Sequence, residues 1–181
     1  CNLKYPSFFN IYSKKAATHL IDGLILDQST VLFKEEEELI QYSYYVAGTV
    51  GLMMCDALNC ENQDAYLFAI DLGIAMQLTN IARDVLEDAK MGRRYIPGSW
   101  IDNISPNAMI RGVNNNNTEI FRTVSFGINK LLNLADKYYY SGTQGLIFLP
   151  LKTRIAISIA SGVYRQIGIQ LKLKKYNWYD G

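Results

Sequence analysis

The sequence predicts an all-α protein, and three observations carry that reading. Apolar residues recur at intervals of three and four in the segments near 7–24, 35–59, 63–91, 118–141 and 152–172. No alternation of apolar and polar side chains, which a half-buried strand needs, lasts beyond a few positions. Of the 181 residues 49% are hydrophobic, and the net charge is +1. That is enough apolar material to close one core, and too little net charge for a disordered chain or for a broad basic surface that binds nucleic acid. Residues 1–181 are therefore read as a single domain, with no nucleic-acid partner.

Each segment has chemical bounds. Pro6 suits the first turn of the first helix. The Lys34-Glu-Glu-Glu-Glu38 run sets carboxylates at the start of the second, where the helix dipole favours them, and reads as a solvated helix start. Asn62 precedes the third segment, and Pro97 and Gly98 follow it. Asn114 to Asn117 are four short amides that compete for backbone hydrogen bonds; they read as a surface loop, after which Thr118 opens the fourth helix. Pro150 opens the fifth. Its basic end, Lys172-Leu-Lys-Lys175, reads as a solvated helix end, with contact to a membrane surface as the alternative.

Cys1, Cys55 and Cys60 are too few for a disulfide framework, and His19 alone cannot complete a zinc site, so a reducing compartment is expected. The longest stretch without a charge or a strongly polar side chain runs from Val46 to Cys55, short of the ~18 apolar residues of a membrane span. No signal-peptide pattern occupies the first residues. The expected location is the cytoplasm, with or without membrane association.

The third segment carries the chemistry. It reads Asp71-Leu-Gly-Ile-Ala-Met-Gln-Leu-Thr-Asn-Ile-Ala-Arg-Asp-Val-Leu-Glu-Asp88. On one continuous helix, at about 100° per residue, Gln77, Asn80, Asp84 and Asp88 fall within roughly 80° of arc and form a polar stripe. Gly73, Ala75 and Ala82 on the other faces imply close helix packing, which turns the stripe inward. Asn80, Asp84 and Asp88 supply oxygen ligands one turn apart, a hard donor set suited to Mg²⁺, or to Mn²⁺ in its place. Lys90, Arg93 and Arg94 stand where a diphosphate needs its remaining charge met. The plainer reading of Arg83 and Glu87, four apart, is a helix salt bridge.

Longer strings are more specific. Tyr42-Ser-Tyr-Tyr-Val-Ala-Gly-Thr-Val-Gly-Leu-Met-Met54, Gly73 through Asp88, and Gly92-Arg-Arg-Tyr-Ile-Pro97 resemble the squalene/phytoene synthase family, its bacterial phytoene-forming branch above all. The likeness runs from His19-Leu-Ile-Asp-Gly23 to the helix of Tyr164. It implies the isoprenoid synthase fold, a helical bundle around a central cavity, and a prenyltransferase that joins two prenyl diphosphates head to head. In the phytoene branch both are geranylgeranyl diphosphate. Asn80, Asp84 and Asp88 match the family's second Asp-rich motif, whose carboxylates hold Mg²⁺ against the substrate. Gln77 and Arg83 match positions beside it, and Arg93 and Tyr95 match the Gly-Arg-x-Tyr stretch after it. Tyr42 matches a tyrosine of the cavity, and Tyr164 resembles another. Val46, Ala47, Val50, Gly51 and Leu52 are expected along the apolar tunnel, plain core packing being the alternative for each. Squalene synthases of the family add a reduction by NADPH, so that cofactor is expected only for a squalene-type enzyme.

The sequence also departs from the family pattern. The first Asp-rich motif belongs before His19, yet Cys1 to Thr18 hold no Asp or Glu. The resemblance therefore implies an incomplete bundle, the central to C-terminal part of a longer domain, with little synthase activity alone and with apolar surface left uncovered. Squalene or dehydrosqualene synthesis from farnesyl diphosphate stays open, as does a non-catalytic relative that serves as an assembly factor. The oligomeric state is not legible.

Overall fold

A computed structural model describes residues 11–58, 60 and 62–179, and among these the architecture is helical, as expected. Eight α-helices follow in order: α1 (Ile11–Leu26), α2 (Glu36–Ser43), α3 (Thr49–Ala57), α4 (Ala65–Arg83), α5 (Val85–Lys90), α6 (Pro106–Asn114), α7 (Thr118–Gln144) and α8 (Leu151–Leu173). A backbone bridge between Leu32 and Arg94 is the only strand-like pairing among the described residues. Pro6 and Cys1 lie outside them.

The acidic run before α2 caps the helix. The Glu38 carboxylate accepts the main-chain N–H of Glu35 at 3.0 Å and that of Lys34 at 2.5 Å. These bonds, the Glu35 one first, hold the exposed Glu38 carboxyl below its usual range. The segment expected as one helix over 35–59 contains a π turn at Tyr44–Gly48, where the Thr49 N–H donates five residues back to the Tyr44 carbonyl. Such single-turn insertions cluster at functional sites. The third segment, expected unbroken over 63–91, is interrupted at Asp84, whose φ of −97° and ψ of 15° leave helical geometry. Asn62 does precede it, accepting the Asp64 N–H with its side chain at 2.8 Å.

Two further boundaries differ from expectation. A short helix, α6, was hidden from periodicity by its nine residues, although its cap is legible: Ser105 Oγ accepts the Ala108 N–H at 3.2 Å, with Pro106 in the first turn. The asparagine run is less loop than cap. Asn114 ends α6, and Asn117 caps α7 by accepting the N–H groups of Glu119 and Ile120 at 3.0 and 3.1 Å.

Helix α4 lies at the centre, packed along α7, with α3 and the π turn on another side and α8 beyond. Ala75, Leu78 and Ala82 of α4 and Val124, Ile128 and Leu131 of α7 belong to one buried core. Each buried leucine or isoleucine there contributes about 1.5–3 kcal/mol. The contact with the π turn and α3 is of another kind. A Cβ placed on Gly73 would stand 2.3 Å from the Ala47 carbonyl oxygen, and one on Gly51 would stand 2.2 Å from that of Ala69. Main chain meets main chain there, so only glycine fits. By length and composition α4 is the one described helix apolar enough to cross a membrane, and half of that stretch is buried within the bundle.

Helix α8 contrasts with α4. Its inner side packs Ile157, Tyr164 and Leu171 on the core, while Leu151, Ile155, Ile159 and Val163, spaced by four, are 52–68% exposed.

Candidate active site

An apolar cavity of about 300 Å³ opens between the π turn, α3, α4, α7 and α8. That volume is at the lower end for small-molecule sites. Val46, Ala47, Val50 and Gly51 line it, as do Gln77, Asn80 and Tyr164. Leu52, expected on the same wall, is buried elsewhere on α3 and does not line the cavity. The close approach at Gly51 and Gly73 explains the opening. With two helices in backbone contact, the side chains on either side of the seam are small, and space remains above them.

The polar boundary of the cavity is Gln77 and Asn80. Asn80 Nδ2 donates to Gln77 Oε1 at 3.5 Å, while the buried Asn80 Oδ1 has no partner. An orphaned buried carbonyl oxygen is costly unless something else meets it.

Past Asn80, the bend at Asp84 changes the stripe expected on one straight helix. The Asp84 N–H still donates to the Asn80 carbonyl at 2.9 Å, and the Asp88 N–H to the Asp84 carbonyl at 2.8 Å, so turn spacing persists. Neither carboxylate lines the cavity; both lie beyond it. Arg83 pairs with its neighbour Asp84, not with Glu87: Nε meets Oδ1 at 2.6 Å and Nη2 meets Oδ2 at 2.7 Å. This fork raises the Arg83 guanidinium. Burial first, and then the Asp84 charge, push the Asp88 carboxyl up to about 7, while Arg93 pulls it back and Asp27 and Glu87 add to the rise. The Asp88 carboxyl is thus short of positive charge.

Tyr42 and Tyr95 stand in a third place. Tyr42, expected on the cavity, is instead packed with Phe33 and Tyr95, its ring 4.9 Å from that of Tyr95 in a stacked pair. The Tyr42 hydroxyl donates to Asp27 Oδ2 at 2.9 Å, and the Tyr95 hydroxyl donates to Asp27 Oδ1 at 2.8 Å. Burial raises both phenols, Tyr95 to about 12. Arg93 reaches the same residue, with Nη2 donating to the Asp27 carbonyl at 2.8 Å, and its own N–H donates to the Asp88 carbonyl at 2.9 Å. Gly92, at a φ of +76°, provides the turn that brings Arg93 there.

Asp27 is the residue that sequence reasoning missed. It follows the His19–Gly23 string by four positions, but its partners lie 15, 66 and 68 residues away, and no local spacing announces them. The fit to a divalent cation rests on Asn80 Oδ1, which lacks a partner, and on the crowded Asp84 and Asp88; all are hard oxygen donors. Among the described residues no three His, Cys, Asp or Glu side chains converge at metal-ligand spacing, so waters and substrate oxygens would complete such a site.

The sequence pattern that defines squalene/phytoene synthases matches residues 9–181. The chain belongs to the squalene/phytoene synthase family. It is 37% identical over 155 residues to a 15-cis-phytoene synthase from Pantoea ananas, a match that takes in 84% of this chain and 48% of that protein. Among solved structures, a dehydrosqualene synthase in complex with a ligand superimposes with a TM-score of 0.75 at 28% identity, over 92% of this chain and 57% of that one. A squalene synthase from Alicyclobacillus acidocaldarius gives 0.78 at 19% identity, over 90% of this chain and 60% of that one, and so shares the fold. The chain thus spans about half the length of the curated relatives it matches. The isoprenoid synthase bundle expected from the resemblance is the fold observed.

Proposed function

We propose that the protein containing these residues joins two geranylgeranyl diphosphates head to head to form phytoene, a step of carotenoid synthesis. The observation that carries this reading is the junction at Asn80: an apolar cavity ends on an unpartnered amide oxygen, and Arg83, Asp84, Asp88 and Arg93 follow in the next thirteen residues. A prenyl diphosphate has that polarity, a long hydrocarbon with a charged head. Identity to phytoene synthases, 37% against 28% for the dehydrosqualene synthase, favours the longer substrate.

In this reading the cavity seats the prenyl chain and keeps water from the allylic cation left when the diphosphate departs. Tyr164, on the wall, presents a ring whose negative face steadies that cation. Arg93 and Arg83 meet the charge on the departing diphosphate. Asn80, Asp84 and Asp88 would hold Mg²⁺, or Mn²⁺ in its place, which when bound neutralises diphosphate charge. NADPH takes no part in phytoene formation. The 181 residues alone have little synthase activity, and a hydrocarbon product makes peripheral membrane contact part of the proposal.

The test uses the full-length gene product with geranylgeranyl diphosphate and Mg²⁺, with and without NADPH, and Asp84→Ala as control. Phytoene formed without NADPH and lost in the control is the expected result. A folded enzyme that turns over neither geranylgeranyl nor farnesyl diphosphate would overturn it in favour of the non-catalytic relative.

A further inference from the structure

We infer that Asp27 is a positioning residue for the diphosphate-binding end: anchored by two tyrosine hydroxyls, it presents the main-chain carbonyl that aims the Arg93 guanidinium beside Asp88. The inference rests on the proposed role of Arg93 toward diphosphate.

Three separate parts of the chain meet at this residue: the turn after α1, Tyr42 of α2, and the Gly92–Pro97 stretch after α5. Both carboxylate oxygens are engaged, one by each tyrosine, so the side chain acts as a fixed bridge with little freedom to rotate. Asp27 lies one residue past the end of α1, where backbone direction is set by local anchors and not by a continuing helix. Fixing its side chain therefore fixes its carbonyl, which receives Arg93 Nη2 at 2.8 Å. The Arg93 main chain is held from the other side by the Asp88 carbonyl. Arg93 is thus clamped at both ends between two aspartates, and only Asp88 belongs to the acidic motif. Packing alone does not call for a carboxylate here. A stacked tyrosine pair beside Phe33 would pack as well around a neutral side chain, without a negative charge close to Asp88.

The experiment measures inorganic diphosphate binding to the full-length gene product in Mg²⁺ by calorimetry, for wild type, Asp27→Asn, Arg93→Ala and the double variant, with melting temperatures alongside. Asparagine keeps the shape but can accept only one tyrosine hydroxyl. Asp27→Asn is expected to weaken diphosphate binding about tenfold, the effect of one charged hydrogen bond. In the Arg93→Ala background the same change is expected to cost nothing further, because Asp27 acts through Arg93. A purely structural Asp27 would lower the melting temperature and leave affinity unchanged, or would cost the same in both backgrounds; either result overturns the inference. If Asp27→Asn does not fold, Tyr95→Phe carries the test, with a smaller loss of affinity expected and an unchanged affinity overturning it. Wild type that is folded but binds no diphosphate overturns the diphosphate reading and this inference with it. Wild type that binds while Asp27→Asn binds equally well overturns this inference alone.

Discussion

Along α4 and its continuation, two stretches a few turns apart hold their surroundings in different ways. Around Gly73 the helix closes on the π turn main chain against main chain, and the cavity exists because side chains there are small. From Arg83 onward, order comes from pairs: Arg83 with Asp84, Arg93 with Asp27 and Asp88, and Asp27 with two tyrosines. The first region is specified by atoms left out, and the second by charges and donors that must be met. Added volume should damage the first, and lost polarity the second.

The largest expected effect breaks the first region. Gly73→Val sets a Cβ against the Ala47 carbonyl, a main-chain atom that cannot rotate away, and should destabilise the fold by about 3 kcal/mol. For a chain of this size that lowers the melting temperature by roughly 6–12 °C. A melt within a degree of wild type would mean that backbone contact does not set the cavity. Next in size, Ala47→Leu and Asp88→Ala should separate the regions by function in the full-length enzyme. The leucine fills cavity and should shift preference from geranylgeranyl toward farnesyl diphosphate by about tenfold in kcat/KM. Asp88→Ala should lose activity on both by on the order of 100-fold, with the preference unchanged. A shared pattern in the two variants would erase the distinction between the regions.

A third prediction concerns pH. The Asp88 carboxyl rises from an ordinary 3.8 to about 7, so between those values the folded chain binds a proton that the unfolded chain has released. Stability from this group is therefore full below the ordinary value and is lost as pH rises through about 7. Asp88→Asn should melt about 2–4 °C above wild type at pH 8, once screening at a partly exposed site is allowed for, and close to wild type at pH 5. Millimolar Mg²⁺ should raise the wild-type melt more at pH 8 than at pH 5, and should do so little in the variant. An advantage for Asp88→Asn that grows as pH falls would contradict the crowding of Asp84 and Asp88.

The same contrast explains what was legible from sequence. Gly73, Ala75 and Ala82 announced close packing because omitted volume is a local property of residue type, and Val46 through Gly51 followed from their place in the Tyr42–Met54 string. Pro150 announced a helix start through backbone chemistry alone, whereas the asparagine run, read as a surface loop, turned out to end α6 and cap α7. The bend at Asp84 was not legible, since the apolar period continues through it while Arg83 draws the carboxylate aside. Nor was Asp27, or the displacement of Tyr42 from the cavity to the aromatic cluster, because both depend on a meeting of α1, α2 and the stretch after α5 that only tertiary structure creates.

The smallest effect on stability is expected at the outer face of α8, which belongs to neither region and tests whether the contrast covers the whole molecule. Ile155 and Ile159 are 52% and 62% exposed and touch little, so replacing both by glutamine should change stability by less than about 0.5 kcal/mol each. Solution behaviour should change more. Leu151, Ile155, Ile159 and Val163 form one apolar stripe, and contiguous exposed apolar surface promotes association. The apparent mass of the 181-residue chain by size exclusion should rise with concentration, and the double glutamine variant should flatten that rise with its melting temperature unchanged. A melt several degrees lower would show that the stripe is part of the packed fold. The outer face of α8 would then have to be counted with its inner face on the cavity wall, as a surface defined by what lies against it.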